Sequence, residues 1–381
     1  MKTAFRHIVA IAAMTAMLTA CVDSPVDPYK PVDQRKILVV TATGKIYDQN
    51  HVHLLTLPDC DIVSEIISDG GDYFVSGTNL KGKVGYWKNG EWNTLHIDFI
   101  DDVEHFSSGI AKWDSYIFLF DYPNVLKNSG IFPLKYCESF YPAWRCMNVS
   151  EGKCYVVGSR TNHKLDIEEP ILYSEIKGEY IGEVLPIPTT GRGDSRCNSV
   201  FAYDRTHTLV CGHIDDQPAL WVDKQLQILP CTYKNVETQM IYPLATGNSV
   251  TRCDGHICVG GYETTPEFKK IATLWIDGVP QHLQTDREFL DESFVEEVFT
   301  YDKDLYVMTY ERIVIPNKAA ANGRRFIKDD DGDGDDGDGD DWGDDEGGDE
   351  NFDLIDRYVI WMNGVVVATY EGLNISDFTV L

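Results

Sequence analysis

The stretch IATLWIDGVPQHL, Ile271–Leu283, reads as a short apolar run closing on Trp275, an Asp277-Gly278 turn, and a second run returning. Asp-Gly supplies the positive φ that a two-residue hairpin needs, so the turn sets the register of both strands. The unit recurs closely as VGYWKNG, Val84–Gly90, and as YVIWMNG, Tyr358–Gly364. It recurs more loosely as ALWVDK, Ala219–Lys224, and ILYSEIKG, Ile171–Gly178.

Working outward, each hairpin is preceded by two further apolar runs, giving four strands in about 45 residues. In the first full copy Val63–Ile67 is strand one, Asp69–Asp72 a turn, Tyr73–Gly77 strand two, the Tyr86-Trp87 run strand three and Glu91–Asp98 strand four. Further copies begin near Phe106, Cys146, Asn198, Ser249 and Val295, the last reaching its Trp361 strand only after a long acidic insertion. No helical periodicity interrupts this pattern from Lys36 onward; short runs alternating with turn residues predict an all-β chain. Lys36–Leu57 lacks a first strand and Ile375–Leu381 is a first strand left over, so joining the ends completes one more unit. The expected fold is a β-propeller of seven four-stranded blades over residues 36–381, closed by N- and C-terminal strands, since closure removes exposed edges. The copy across Phe106–Phe140 is degenerate, which leaves an eight-bladed ring or a stacked pair of β-sandwiches as alternatives.

The N-terminus carries a separate message. Lys2 and Arg6 precede an apolar segment, Ile8–Leu18, too short to span a bilayer, and Leu18-Thr19-Ala20-Cys21 follows. This resembles a bacterial lipobox, which implies removal of residues 1–20 and lipidation of Cys21, an anchor strong enough for stable membrane attachment. Val22 after the cysteine favours the outer membrane. Residues 21–35, with three prolines, read as a tether able to hold the body roughly 40 Å from the bilayer.

The net charge of −28 excludes nucleic acid as a partner, because a phosphate backbone requires a basic face. Half of that charge lies in Asp329–Asn351, with 12 Asp, 2 Glu and no basic residue, inside a low-complexity insertion spanning 317–354. Within it Asp329, Asp331, Asp333, Gly334, Asp335 and Asp340 match the D-x-D-x-D-G spacing of a calcium loop with an acid at position twelve. Calcium is the one cofactor this suggests. Asp340 is a methylene shorter than the usual Glu, and a solvated acidic loop satisfies the same composition.

Other constellations have plainer readings. Arg192-Gly193-Asp194 spells a cell-adhesion tripeptide but sits in a Gly-rich connection between copies. His51 and His53 fall at period two on a strand without an identifiable third ligand, and His207, His213 and His256 have no partner readable from spacing. Trp87, Trp221, Trp275 and Trp361 hold one place in each unit, which marks them as packing between blades; Trp92, Trp113, Trp144 and Trp342 lie off that register and are surface candidates. Of ten cysteines, nine remain after Cys21, without a CxxC pair, and most read as small core residues. No nucleophile elbow, phosphate-binding loop or metalloprotease helix is present in the sequence.

The pattern Val-x-Gly-Tyr-Glu followed by Ala-Thr-Leu-Trp-Ile-Asp-Gly, as in Val259–Gly278, resembles the repeat of β-propeller lipoproteins of Bacteroidota. The resemblance implies fold and compartment, a lipid-anchored protein of the cell surface or periplasmic face, and carries no catalytic residue across. The functional expectation is a non-enzymatic, monomeric binding module for a glycan, peptide or protein. The alternatives are a hydrolase or lyase acting on extracellular polysaccharide, and a structural subunit of a surface complex.

Overall fold

A computed structural model describes residues 35–94, 107–128, 130–137, 139–188, 194–233, 244–283, 290–316 and 352–381. The chain is all-β, and no helix occurs among the described residues. The strands form antiparallel four-stranded meanders. The first complete one is β4 (Cys60–Asp69), β5 (Asp72–Asn79), β6 (Val84–Lys88) and β7 (Glu91–Thr94), preceded by β1 (Ile37–Thr41), β2 (Lys45–Asp48) and β3 (His53–Thr56). Next come β8 (Ser107–Trp113), β9 (Tyr116–Asp121), β10 (Asn124–Lys127) and β11 (Gly130–Lys135), then β12 (Phe140–Ser150), β13 (Lys153–Asn162), β14 (Ile167–Ile176) and β15 (Glu179–Val184). The fourth meander is β16 (Ser195–Ala202), β17 (Thr208–Ile214), β18 (Gln217–Val222) and β19 (Gln225–Ile228), and the fifth β20 (Ala245–Cys253), β21 (His256–Thr264), β22 (Lys270–Ile276) and β23 (Val279–His282). The sixth is β24 (Leu290–Tyr301), β25 (Asp304–Pro316), β26 (Phe352–Met362) and β27 (Val365–Glu371), after which β28 (Ile375–Val380) pairs antiparallel with β1 and completes the sheet β28-β1-β2-β3. The second, third and fourth meanders join in one sheet through short parallel contacts, β11 with β15 and β12 with β16.

The turns follow the residues that favour them. Asn89-Gly90, Asp277-Gly278 and Asn363-Gly364 all hold positive φ at both positions, the conformation their hairpins demand. A second device is steric. The first strand of each complete meander breaks register, at Ser64, Ser108, Asn198, Asn248 and Glu296 and over a longer span between Pro142 and Met147. The break drives a strand-one carbonyl against strand two: a Cβ on Gly77, Gly158, Gly212 or Gly261 would lie 1.9 to 2.2 Å from the oxygen of Ile62, Tyr141, Arg196 or Thr246. Only glycine fits there.

The core lies between successive meanders. Trp87 and Val75 pack with Leu38, Val40 and Val63, joining the closing sheet to the first meander; Phe74 and Val84 pack with Ile110 and Leu119 of the second. Trp275 joins the fourth and fifth meanders, Trp361 the fifth and sixth, and Phe378 and Val39 pack on Tyr306 and Met308 of the sixth. Three of these indoles also donate Nε1–H to a backbone carbonyl in the connection entering their own meander: Trp87 to Pro58 at 3.0 Å, Trp221 to Pro186 and Trp275 to Pro230 at 2.9 Å. The preceding Leu57, Leu185 and Leu229 are buried, so a Leu-Pro pair and a Trp form one staple, repeated. Trp361 instead donates to the Thr309 hydroxyl at 3.1 Å.

Candidate functional site

The first strands carry the polar groups that apolar cores exclude. Arg145 of β12 is buried, and its Nη2 donates to Glu297 of β24 at 3.0 Å and to Asp377 of β28 at 2.9 Å. Asp377 also accepts the Ile66 amide of β4 at 2.8 Å, and Glu65 of β4 accepts the Ile110 amide of β8 at 2.9 Å. The belt continues through Asn198, whose amide donates to Gly247 O at 2.9 Å, and Asn248, which donates to Val295 O at 2.8 Å. The register breaks turn these side chains toward neighbouring first strands rather than into the cores between sheets.

The cluster holds one guanidinium against four carboxyl groups, Glu65, Glu296, Glu297 and Asp377. Burial, reinforced by the charge of Asp377, raises Glu65 to about 8, with the Ile110 amide and Arg145 pulling the other way. Burial likewise holds Glu297 well above the ordinary carboxylate range against the pull of Arg145, with Asp377 adding its charge and a hydrogen bond. Burial also works against the charge of Arg145, and Glu297 and Asp377 outweigh it. Burial therefore favours the protonated forms of Glu65 and Glu297 beside a guanidinium that stays ionised.

Beside this cluster opens a cavity of about 600 Å³. Asp61, Glu296, Tyr358, Asn374 and Ser376 supply its polar atoms, and Ile62, Val63 and Ile375 its apolar wall. It forms where the closing pair meets: the register of β1 and β28 slips beside Thr41, and the Ala42 amide donates to Asn374 O at 3.0 Å. Glu296 is a bulged residue, so β24 turns it out of the ladder. Burial raises its carboxyl above the usual range, Arg145 opposing and Asp377 adding. Pro316 and Phe352 pair at the ends of β25 and β26. A second cavity of about 500 Å³ lies between the fourth and fifth meanders, by Cys231, Tyr233 and Glu263. Its carboxylate is already engaged: Glu263 accepts the Thr232 amide at 2.7 Å and faces His282 at 3.7 Å.

Of the residues singled out by sequence, Cys21 and the calcium-loop candidates Asp329, Asp331, Asp333, Asp335 and Asp340 lie outside the described residues, as do Arg192, Gly193 and Trp342, and the side chain of Trp144. Asp194 is tied down, 3.3 Å from Arg196 and 3.5 Å from the buried His213. His51 is not on the strand expected for it: it has φ 63° in the turn before β3 and stacks on Tyr370, while His53 meets Thr56 at 3.1 Å. His207 pairs with Asp204 at 2.6 Å and His256 with Asp277 at 2.5 Å. Trp92, expected at the surface, packs on Trp87 with centroids 4.4 Å apart; Trp113 is exposed. No group of three His, Cys, Asp or Glu gathers as a metal centre among the described residues. Six of the nine described cysteines are buried. The residues missed by sequence reading are those of the belt, above all Arg145, Glu297 and Asp377.

No family model matches the sequence, and no curated protein matches it. Among solved structures, the extracellular domain of the putative one-component system BT4673 from B. thetaiotaomicron is similar over 72% of this chain and 37% of its own, at 9% identity and TM-score 0.44. AofleA from Arthrobotrys oligospora is similar over 91% of this chain and 92% of its own, at 11% identity and TM-score 0.41. The chain thus spans little more than a third of the Bacteroides domain. No helix among the described residues is long and apolar enough to cross a membrane.

Proposed function

We propose that the chain is a seven-bladed β-propeller of the Bacteroidota lipoprotein type, anchored through Cys21 to the outer membrane, and that it is a non-enzymatic binding module. The succession of cores from each meander to the next, and from the closing sheet to both the sixth and the first, supports the ring. The observation that carries the function is the cavity lined by Glu296: it is mixed in polarity and opens beside the groups paired with Arg145. Its acceptors and the Tyr358 ring suit a glycan, a peptide or a segment of a partner protein. Binding of polysaccharide and peptide panels to the protein and to an Asp61→Asn, Asn374→Ala variant tests this; a ligand held equally by both would move the site elsewhere.

The second reading, a polysaccharide hydrolase or lyase, draws on Asp61 and Glu296 sharing one cavity. It requires product release that Glu296→Gln abolishes. Calcium at Asp329, Asp331, Asp333, Asp335 and Asp340 stays a separate proposal, tested by calorimetric titration of the protein with and without residues 329–351.

A further inference from the structure

Among the described side chains that line this cavity there is no Lys, Arg or His. Asp61, Glu296 and Asn374 offer oxygen acceptors, and the cation beneath, Arg145, already donates to Glu297 and Asp377. Glu296 has no hydrogen-bond or ion-pair partner among the described residues, although its carboxyl is largely desolvated. The charge of Arg145 reaches it, but Glu65, Glu297 and Asp377 draw on the same guanidinium.

We infer that the cavity takes a ligand bearing a protonated amine, with the ammonium between Asp61 and Glu296 and its hydrocarbon stem against Ile62 and Tyr358. The inference rests on the reading of this cavity as the binding site and narrows it to a chemical class. An alkylammonium supplies three donors and a second positive charge, while its stem matches the apolar wall. The surroundings favour the same sign. The chain carries −28 overall. Such a field concentrates cations at the mouth.

Binding is coupled to a proton. The groups facing Glu296 are Arg145 from β12, Asp377 from β28 and Tyr358 from β26, with Asp61 of β4 sharing the cavity and Glu297 adjoining on its own strand. An arriving ammonium favours the ionised carboxylate, so wherever Glu296 is protonated its proton is released to solvent on binding. Affinity therefore rises with pH while free Glu296 is protonated, and levels off once it is ionised, the amine remaining charged to about pH 10.

The experiment is calorimetric titration of the whole protein at pH 6, 7 and 8. The probes are 1,5-diaminopentane and a blocked lysine peptide, each beside its neutral counterpart, 1,5-pentanediol and the acetyl-lysine peptide. Expected is saturable binding of an amine and not of its counterpart, no weaker at pH 8 than at pH 6, and weakening at least tenfold in Glu296→Gln and in Asp61→Asn. The tighter probe separates a free polyamine from a protein lysine as the source. Amine binding unchanged in both variants, or lost only on deleting residues 329–351, would overturn the inference, as would no amine binding at all. A neutral oligosaccharide bound through Asn374 and Tyr358, indifferent to Glu296→Gln, would overturn it while leaving the cavity as a binding site. Asp61 is exposed, so its variant keeps the test open if Glu296→Gln does not fold.

Discussion

Arg145 and Asp377, 232 positions apart in the chain, meet at 2.9 Å, with the guanidinium donating to the carboxylate and both side chains buried. The same guanidinium nitrogen reaches Glu297, so one side chain of β12 holds β24 and β28 together. Removing it leaves an excess of buried carboxyl groups with no cation. Arg145→Met is expected to lower stability by about 3–5 kcal/mol, the cost of stranding a buried charge. Arg145→Lys recovers part of this, since a point charge cannot fork to two acids. Urea midpoints of the three proteins check it, and a midpoint for Arg145→Met at the wild-type value would show that the pair is not structural.

Stability should fall as pH rises through neutrality. Burial raises Glu65 to about 8 in the folded chain, so between the ordinary carboxylate range and pH 8 the folded state binds the proton that the unfolded state has lost. Its contribution is therefore present at low pH and disappears as pH climbs through about 8, and Glu297 acts in the same direction. Melting temperature measured from pH 5 to pH 9 is expected to decline, and Glu65→Gln to flatten the decline.

The indole staples predict an ordered series. Trp275→Phe removes the bond to Pro230 O and part of the packing between the fourth and fifth meanders, a loss of about 1–3 kcal/mol. Trp221→Phe should cost the same, because its bond to Pro186 O is equivalent. Calorimetric melting of each single variant and of the double tests additivity, expected because each indole closes its own interface.

Gly261→Ala is expected to be far worse than Gly278→Ala. A Cβ at Gly261 would stand 1.9 Å from the Thr246 carbonyl oxygen, and a backbone atom cannot step aside. At Gly278 the space is open and the cost is that of φ +78° for an alanine, about 1 kcal/mol. Soluble yield and melting temperature separate the two; equal behaviour would mean that strand one can shift.

What the sequence made legible was local chemistry. Asn89-Gly90, Asp277-Gly278 and Asn363-Gly364 announce their hairpins because few residues tolerate that φ, and the Trp register announces a repeated interface. The Leu-Pro half of the staple was also present, at Leu57-Pro58, Leu185-Pro186 and Leu229-Pro230, but its meaning depends on a hydrogen bond across roughly one meander of chain. The second meander was hard to parse because β10 carries Val125 and Leu126 where others carry Trp. The Arg145 cluster was not readable. Glu65, Arg145, Glu297 and Asp377 come from four meanders, and each looks like one polar residue in an apolar run. The signal available was that such an interruption recurs in first strands, as VSEII, AWRCM, VEEVF and ISDFT.

The pairing of β1 with β28 also has a consequence for the order in which the molecule comes together. Lys36 and Leu381 exchange backbone hydrogen bonds at 3.1 and 2.9 Å, so β1, near the start, is unpaired on one edge until the far end arrives. A contact of such sequence separation forms late, and until then the edge is a template for a wrong strand. Joining the two ends and opening the chain between β7 and β8 would turn this slowest contact into a neighbourly hairpin. The native connectivity instead delays the seal to the end of assembly, a kinetic exposure that falls on the folding chain rather than on the finished fold.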